Sequence, residues 1–452
     1  MLWRIMLCSL LLSAVFPAES AERPIVVLVS VDGLRPDYVL DADQLGLRIP
    51  NLRRFLTEGT FATGVKGVIP TVTYPSHTTI VTGVWPSRHG IYANHPFDPL
   101  GRNQGGWCWY AEDIRVPTLW DAAREAGLTT ANVNWPVTVG ANIKYNVPQI
   151  WRAGTEEDRK LVRALSTPGL LDELERDLGP YADGEDESIA GDELRSRFAV
   201  HLLEKKKPDF MTVYFAGLDS EQHNTGPFSA SGFAVLERID KIIGALRAAA
   251  ERVGGGRAVL GVVSDHGFAK AEKEVNLLAA FRAAGLIDCD EHNRVTSWLA
   301  TTWQSGASAA VMLNPRAGDS VRMKVSRLLD QLADDPENGI SEVLRAGQFH
   351  SLGGFPQAAF LIGLKPGYRL GAQTTGPLVV PAKAGGMHGY LPEHREMNAA
   401  FFIAGAGVPA GRSLGEIDMR DIAPALAGLL GIPLPTADSK SRPLLTPAIP
   451  IR

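Results

Sequence analysis

The chain has 452 residues, of which 45% are hydrophobic, 21% charged and 8% aromatic, a composition that excludes disordered, fibrous and coiled-coil proteins. Its length suffices for one large or two ordinary globular domains. The 45 Lys and Arg against 50 Asp and Glu give a formal net charge of −5, so no bulk positive charge attracts a polyanion and stable nucleic-acid binding is not expected.

The N-terminal segment is typical of an export signal. Arg4 precedes an apolar run from Ile5 to Phe16, and Ala18-Glu19-Ser20 places small residues at the positions that a signal peptidase inspects. The run is short for a membrane span, and an uncleaved hydrophobic anchor is the alternative. We expect a signal peptide at 1–20 and a mature protein that is periplasmic or secreted, with no membrane span after cleavage.

Removal of this segment would leave Cys108 and Cys289. The two could pair in an oxidising compartment, but the sequence does not show whether they do. Neither belongs to a C-x-x-C motif, so cysteine metal chemistry is not expected.

Three apolar runs are typical of strands that are buried on both faces of a parallel sheet. They cover Pro24 to Val31, Pro208 to Ala216 and Arg257 to Ser264. Each run ends at or shortly before an acidic residue, and these residues are Asp32, Asp219 and Asp265.

Helical stretches separate the runs and end at glycine or proline. They cover Pro117 to Ala126, Gly191 to Lys206 and Gly232 to Glu251. The alternation predicts an α/β fold with a doubly wound, mostly parallel sheet and helices on both faces. In such folds, ligands bind at the carboxyl ends of the strands.

Residues 271–384 interrupt the alternation. Their pattern predicts helices at Glu272 to Ala284 and Ser320 to Leu332, an apolar segment at Ala307 to Leu313 and a strand at Ala358 to Leu364. Core-like sequence returns at Ala399 to Ala404, and a last helix is predicted at Asp421 to Leu430. We therefore expect one catalytic domain over 21–452 with a cap-like insertion at about 271–384.

Acidic and histidine side chains gather at the predicted strand ends and in one glycine-rich loop, namely Asp32, Asp219, His223, Asp265, His266 and His388. Two divalent cations with three protein ligands each would use such a set. Asp219 and His223 share one face of a helix because they are four residues apart. A strand-end Asp is by itself more often a cap or turn residue, but the joint pattern favours a two-metal site.

Thr73 lies in a segment that predicts the start of a helix, because Pro75 suits a first turn. Backbone N–H groups and the helix dipole favour an anion at such a position. A bound divalent cation would favour the alkoxide of a threonine that is otherwise a poor nucleophile. Without the metal ligands, Thr73 would be read as a helix cap only.

Four segments resemble the nucleotide pyrophosphatase/phosphodiesterase family of the alkaline phosphatase superfamily, namely Val31 to Asp37, Pro70 to His77, Thr82 to Ile91 and Ser264 to Gly267. The resemblance implies an alkaline-phosphatase-like fold, two zinc ions and Thr73 as nucleophile. It implies that one zinc is held by Asp32, Thr73, Asp265 and His266, and the other by Asp219, His223 and His388. It also implies that Asn94 helps to hold a non-bridging phosphoryl oxygen.

The activity that this resemblance implies is hydrolysis of a phosphodiester or pyrophosphate bond through a phosphothreonine-type intermediate. His77 stands where sulfatase-like relatives carry arginine, which favours diesters over phosphomonoesters and sulfate esters. The expected partner is a small-molecule phosphodiester or nucleotide. The sequence does not predict the oligomeric state.

Aromatic residues leave the substrate open. Tyr74 matches an aromatic residue that stacks on a nucleobase in the family, and other aromatic residues either extend this wall or belong to the core, namely Trp107, Trp109, Tyr110, Tyr145 and Trp151. A similar wall would bind a choline headgroup, so lipid phosphodiesters are an alternative. Phosphonoacetate hydrolases resemble the chain in the same ligands, and an exported metal-binding protein without turnover is the alternative of a different class.

Overall fold

The computed structural model describes residues 24–103, 105–150, 156–182, 186–438 and 445. The expected signal peptide and Trp151 lie outside these residues. Within them, none of the helices combines the length and hydropathy that a membrane span requires.

The strands, in chain order, are β1 (Ile25–Val31), β2 (Gly59–Phe61), β3 (Gly64–Lys66), β4 (Thr130–Val133), β5 (Tyr145–Val147), β6 (Phe210–Phe215), β7 (Ala258–Val263), β8 (Ala269–Val275), β9 (Ile287–Cys289), β10 (Val295–Trp298), β11 (Ala300–Ser305), β12 (Ser308–Leu313), β13 (Ile340–Arg345), β14 (Phe360–Leu364), β15 (Gly367–Leu370), β16 (Val379–Met387), β17 (Phe401–Gly405), β18 (Arg412–Ser413) and β19 (Glu416–Asp418).

The α-helices are α1 (Asp37–Leu40), α2 (Ala42–Leu45), α3 (Pro50–Glu58), α4 (Thr73–Thr82), α5 (Pro86–His89), α6 (Leu119–Glu125), α7 (Glu156–Leu165), α8 (Leu170–Leu178), α9 (Ile189–Lys206), α10 (Gly217–Thr225), α11 (Ala230–Gly254), α12 (Leu277–Ala283), α13 (Asp319–Asp334), α14 (Ala346–His350) and α15 (Ile422–Leu430).

The largest sheet has eight strands in the order β18-β2-β17-β7-β1-β6-β4-β5. The five strands from β7 to β5 are parallel to their neighbours, whereas β17 runs antiparallel to both β7 and β2. The predicted mostly parallel sheet is confirmed. Its central strands are the three apolar runs identified in the sequence, because a strand with helices on both faces has no side that tolerates polar residues.

Strand β1 shows how both faces are covered. All seven of its residues are buried. Val27 and Val29 pack into one core with residues of α9 and α11, and Val26 and Leu28 pack into a second core with residues of α4 and α15. Successive side chains of a strand point to opposite faces, so the sheet separates two helical layers.

The region from 271 to 384 mixes small sheets with helices. Strands β11, β12, β14 and β13 form an antiparallel sheet, and β15, β8 and β16 form a three-stranded sheet. The predicted helix from Glu272 to Ala284 is wrong in its first part, because β8 continues to Val275 and α12 begins at Leu277. Pairing with β15 and β16 overrides the local helical preference of Ala, Glu and Lys there.

Candidate metal centre

The register of the central strands brings three chain segments to one edge of the sheet. Val31 pairs with Phe215, and Ser30 pairs with Val263, so β1, β6 and β7 end side by side. The Asp32 N–H donates to the Phe215 carbonyl at 2.9 Å, which continues the ladder past the last strand residue. Side chains that follow these strands therefore meet at their carboxyl ends.

Two groups of side chains are candidates to hold metal ions, and they are called the ligand groups below; the first consists of Asp32, Asp265 and His266. Asp32 follows β1, and the other two residues follow β7. The His266 Nε2 atom lies 3.1 Å from Asp265 Oδ2 and 3.3 Å from Asp32 Oδ1. All three side chains are at most 1% exposed, so this group is shut off from solvent.

The second group is carried by α10 and by the end of β16, and it consists of Asp219, His223 and His388. One turn of α10 places His223 Nε2 3.3 Å from Asp219 Oδ2. His388 Nε2 lies 3.7 Å from Asp219 Oδ1. The side chains of Asp219 and His223 are 16% and 34% exposed, so this group is partly open.

Strand pairing joins the two groups. Met387 of β16 pairs with Ala269 of β8. This pairing brings His388, which follows β16, close to His266, which precedes β8. The His266 and His388 rings consequently stack with their centroids 3.7 Å apart and their planes at 9°. The ligand atoms of Asp219, His266 and His388 lie within 4.8 Å of one another, as do those of Asp32, Asp265 and His266.

The donor atoms fit divalent cations. Among the described residues, buried Asp32 Oδ1, Asp219 Oδ1, Asp265 Oδ2 and His266 Nε2 have no hydrogen-bond partner. Such atoms are costly unless something else satisfies them, and a cation with Asp and His ligands does so.

Backbone carbonyl groups orient the imidazole rings of both groups. The Nδ1 atoms of His223, His266 and His388 face the carbonyl oxygens of Gly386, Gly267 and Thr71, at 3.3, 3.1 and 3.3 Å. An N–H at Nδ1 that donates to these carbonyls leaves the lone pair of each Nε2 for a metal.

Burial and mutual repulsion set the electrostatics of the carboxylates. Burial raises the pKa of Asp32 well above its ordinary value, and the carboxylate of Asp265 raises it further. Burial also raises the pKa of Asp265 to about 7, with a further contribution from Asp219. For Asp219, the attraction of His223 and His388 outweighs the effect of burial, and its pKa lies below the ordinary value. The concentration of buried carboxylates calls for positive charge.

Thr73 is the first residue of α4 and is 3% exposed. The Nδ1 atom of His77, one turn later, donates to the Thr73 carbonyl at 2.8 Å and lies 3.6 Å from Asp265 Oδ2. The Ser30 hydroxyl lies 2.8 Å from the His77 Nε2 atom. His77 thus connects the start of α4 to the first ligand group.

Asn94 is held beside the same helix start. Its Oδ1 atom accepts from the Tyr74 N–H at 2.9 Å, and its carbonyl accepts from the Cys108 N–H at 2.9 Å. The Tyr74 ring is fully buried and lies 5.2 Å from the Trp107 ring, measured between centroids. A role for Tyr74 in base stacking stays a prediction that requires the ring to become accessible.

Two of the other aromatic residues differ in their surroundings. Tyr145 is the first residue of β5 and so lies at the amino ends of the strands, away from the ligand groups. Lys206, at the end of α9, lies over its ring. The Tyr145 side chain packs against the hydrophobic core, which is the alternative to a place in the aromatic wall. Tyr110 is 46% exposed and contacts Trp109 edge to face. Cys108 and Cys289 are both free thiols.

Several supporting residues had no individual signal in the sequence. The Tyr214 hydroxyl donates to Asp32 Oδ2 at 2.5 Å. Asp192 of α9 accepts from the N–H groups of Ala216 and Gly217, at 3.2 and 2.7 Å, and so stabilises the start of α10. His77, in contrast, has a local signal, because it follows Thr73 by four residues on a predicted helix.

A sequence profile of the family described as type I phosphodiesterase/nucleotide pyrophosphatase matches residues 26–391. Ectonucleotide pyrophosphatase/phosphodiesterase family member 3 of Bos taurus is 28% identical over 246 residues, which make up 50% of this chain and 23% of that protein. A venom phosphodiesterase of Naja atra is 27% identical over 238 residues, which make up 50% of this chain and 24% of that protein. The chain thus spans about a quarter of the length of these curated relatives.

Solved structures show the same fold. Human ectonucleotide pyrophosphatase/phosphodiesterase 5 aligns with a TM-score of 0.63 and 20% identity, covering 90% of this chain and 95% of the human one. An inactive threonine-to-alanine form of the murine protein, in complex with AMP, aligns with a TM-score of 0.63 and 19% identity, covering 91% of this chain and 96% of the murine one.

Proposed function

The chain belongs to the type I phosphodiesterase/nucleotide pyrophosphatase family, and from this premise we propose that it is an exported hydrolase of phosphodiester or pyrophosphate bonds in small substrates such as nucleotides. The two groups of Asp and His would hold two zinc ions, and Thr73 would be the nucleophile. The observation that supports this most strongly is the set of buried ligand atoms without hydrogen-bond partners among the described residues, next to the start of α4.

The first group, with the Thr73 oxygen, would hold one ion, and Asp219, His223 and His388 would hold the other. Bound zinc would stabilise the negative charge on the phosphoryl oxygens and lower the pKa of the Thr73 hydroxyl. The N-terminus of α4 adds an electrostatic preference for the anionic phosphoryl group.

The reaction would proceed in two displacements. The Thr73 Oγ1 atom bonds to phosphorus, and the oxygen of the leaving group departs with its electron pair. Water then displaces Oγ1 from phosphorus and restores the threonine hydroxyl. Over both steps, water supplies the hydroxyl on phosphorus and the proton of the leaving alcohol or phosphate. Asn94 would hold a non-bridging oxygen during both displacements.

The charge of the site supports a diester over a monoester. Burial lowers the pKa of His77 to about 3, so the imidazole is neutral near pH 7. It is also fully buried and bound to the Thr73 carbonyl, and it cannot serve as a cation for a second phosphoryl charge. A phosphodiester carries only one negative charge and does not require such a cation.

We propose that a cleft between the segment after Asn94 and β11 receives a substituent of the substrate. It has a volume of about 220 Å³ and includes His95, Phe97, Trp303 and Gln304 in its walls. His95 follows Asn94 in the chain, and β11, which carries Trp303, ends at a turn whose Ala307 N–H donates to the His388 carbonyl at 3.1 Å. We propose that the 271–384 region acts as a cap on the domain of 21–452 by supplying this wall.

Hydrolysis of bis-p-nitrophenyl phosphate tests the proposed function. The purified protein should release p-nitrophenol, lose activity on dialysis against a chelator and regain it with zinc. Thr73→Ala should abolish turnover, while Thr73→Ser keeps a hydroxyl and should retain part of it. Turnover that survives Thr73→Ala or complete metal removal would contradict the mechanism, and zinc binding without turnover on any phosphoester would support a binding protein.

The substrate and location need separate measurements. Rates with ATP, a phosphocholine lipid and phosphonoacetate at equal concentration should favour the nucleotide. A faster reaction with the lipid or with phosphonoacetate would contradict a nucleotide substrate and would assign that compound's class instead. The N-terminal sequence of protein recovered from the periplasm or medium should begin at residue 21, and recovery only from the cytoplasm would contradict export.

A further inference from the structure

Gln222 precedes His223 on α10, and its side chain is fully buried. Its amide oxygen accepts from the Tyr38 hydroxyl at 2.7 Å, and that hydroxyl accepts from the Phe228 N–H at 2.8 Å. The amide nitrogen donates to the Gly33 carbonyl at 3.0 Å. Because a carbonyl can only accept, this contact fixes the orientation of the amide and leaves its oxygen to accept from the Tyr38 hydroxyl.

Gly33 lies between the two ligand groups. It directly follows Asp32, and its N–H donates to Asp265 Oδ1 at 3.2 Å. Gly33 thus contacts the first group through its N–H and α10 through its carbonyl. Its φ is +68°, and a Cβ there would lie 2.9 Å from Gln222 Nε2, so this link requires a glycine.

Helix α10 also packs against β16. A Cβ on Gly386 would lie 2.5 Å from the Gln222 carbonyl oxygen, and one on Gly385 would lie 2.3 Å from the His223 carbonyl oxygen. The helix therefore lies in direct backbone contact with the strand that leads to His388. Gln222 provides the connection from this assembly to the turn after β1.

We propose that Gln222 is a positioning residue that couples the two metal groups. It ties the turn that carries Asp32 to the helix that carries Asp219 and His223, and so sets the separation of the groups before an ion binds. The inference rests on the proposed two-ion site. Without the Gln222 amide, the separation of the two groups is no longer fixed. Binding of the first ion then no longer leaves the residues of the other group correctly placed for the second ion.

Calorimetric titration of the metal-free protein with zinc chloride tests this coupling. The wild-type protein should bind two ions. Gln222→Met keeps the length of the side chain and removes both amide hydrogen bonds. We expect the second stepwise dissociation constant to rise by about 10- to 100-fold, the range typical of lost outer-shell contacts, while the first stays nearly unchanged.

Two further variants separate coupling from stability. Tyr38→Phe keeps the ring, which stacks on Phe228 with centroids 4.5 Å apart, and removes the hydroxyl that donates to the Gln222 amide oxygen. It should raise the same constant by a smaller factor, and it serves if Gln222→Met does not fold. Asn276→Leu removes a different buried amide, which bridges Gln373 and Pro377, and should lower the melting temperature without changing either constant.

The outcomes are distinguishable. A wild-type protein that binds fewer than two ions would overturn the two-ion site and this inference with it. Two ions in the wild type, with unchanged constants in Gln222→Met and Tyr38→Phe, would overturn the inference alone. Equal weakening of both ions, or the same change in Asn276→Leu, would also overturn it.

Discussion

The two ligand groups differ in how the chain builds them. Asp32, Asp265 and His266 follow strands of the central sheet and are at most 1% exposed. Asp219 and His223 are carried by a helix of nine residues and are 16% and 34% exposed. The first group is fixed by the most buried part of the fold, whereas the second depends on contacts that position α10. We therefore expect the first group to tolerate change less and the second to exchange its ion more readily.

Asp265→Asn should have the largest effect on activity. It removes a ligand charge in a group that solvent cannot enter, and we expect a loss of about 10³-fold or more, equivalent to about 4 kcal/mol. Excess zinc should not restore the rate. Phosphodiesterase assays over a range of zinc concentrations measure this.

Asp240→Asn is the matched control for that substitution. Asp240 is also buried, but it accepts from the Leu52 N–H at 2.7 Å and supports α3 instead of the ligand groups. It should lower stability and leave the specific activity of the folded protein unchanged. Equal losses in both variants would show that the first group has no special role.

Asp192→Ala should have the next largest effect, because it breaks the support of α10. Asp192 is buried and lies 3.5 Å from the Arg195 guanidinium, besides accepting from the first N–H groups of α10. Loss of one partner of a buried pair costs about 3 kcal/mol or more in the free energy of unfolding. Thermal and urea unfolding of the metal-free protein should show this loss.

Bound zinc measured on the same Asp192→Ala protein sharpens the comparison. We expect the second group to lose its ion while the first group keeps its own, so that the protein retains about one zinc ion per chain. If the variant unfolds like the wild type, or loses both ions together, then the helix is not the weaker support.

His223→Gln should have a smaller effect that excess metal reverses. His223 is the most exposed residue of the second group, and in the proposed two-ion site its loss should weaken the binding of one ion by about 10- to 100-fold. Activity should return when zinc is raised by the same factor, in contrast to Asp265→Asn. Failure of zinc to restore activity would remove the distinction between the two groups.

The difference between the two ligand groups also explains which residues of the site could be predicted from the sequence. The strand ends were predictable because continuous apolar runs stop close before Asp32, Asp219 and Asp265, and the structure brings those ends together through the register of β1, β6 and β7. The position of His388 was predictable only as part of a glycine-rich motif, since its place beside His266 depends on the pairing of β8 with β16.

The supports of α10 could not be predicted. Asp192 lies 25 residues before the Gly217 N–H that it accepts from, and Gln222 is 189 residues from Gly33. Neither has a local signal, because a buried polar side chain finds its partner only after the chain has folded. The strand β8 was missed for a related reason, since residues with helical preference pair there with β15 and β16.

A buried histidine outside the ligand groups tests the role of burial alone, with the smallest expected effect. His89 is fully buried, accepts from the Ile91 N–H at 3.1 Å, and burial lowers its pKa to about 3. Because the native state then binds fewer protons than the unfolded state between pH 6.5 and 3, its contribution to stability is lost as pH falls through this window. As pH falls from 6 to 5, we expect the protonation of His89 to lower the free energy of unfolding by about 1 kcal/mol. His89→Asn should remove that part of the dependence of stability on pH. The same substitution at exposed His292 should leave the slope unchanged, and an unchanged slope in His89→Asn would assign the acid sensitivity to the ligand groups instead.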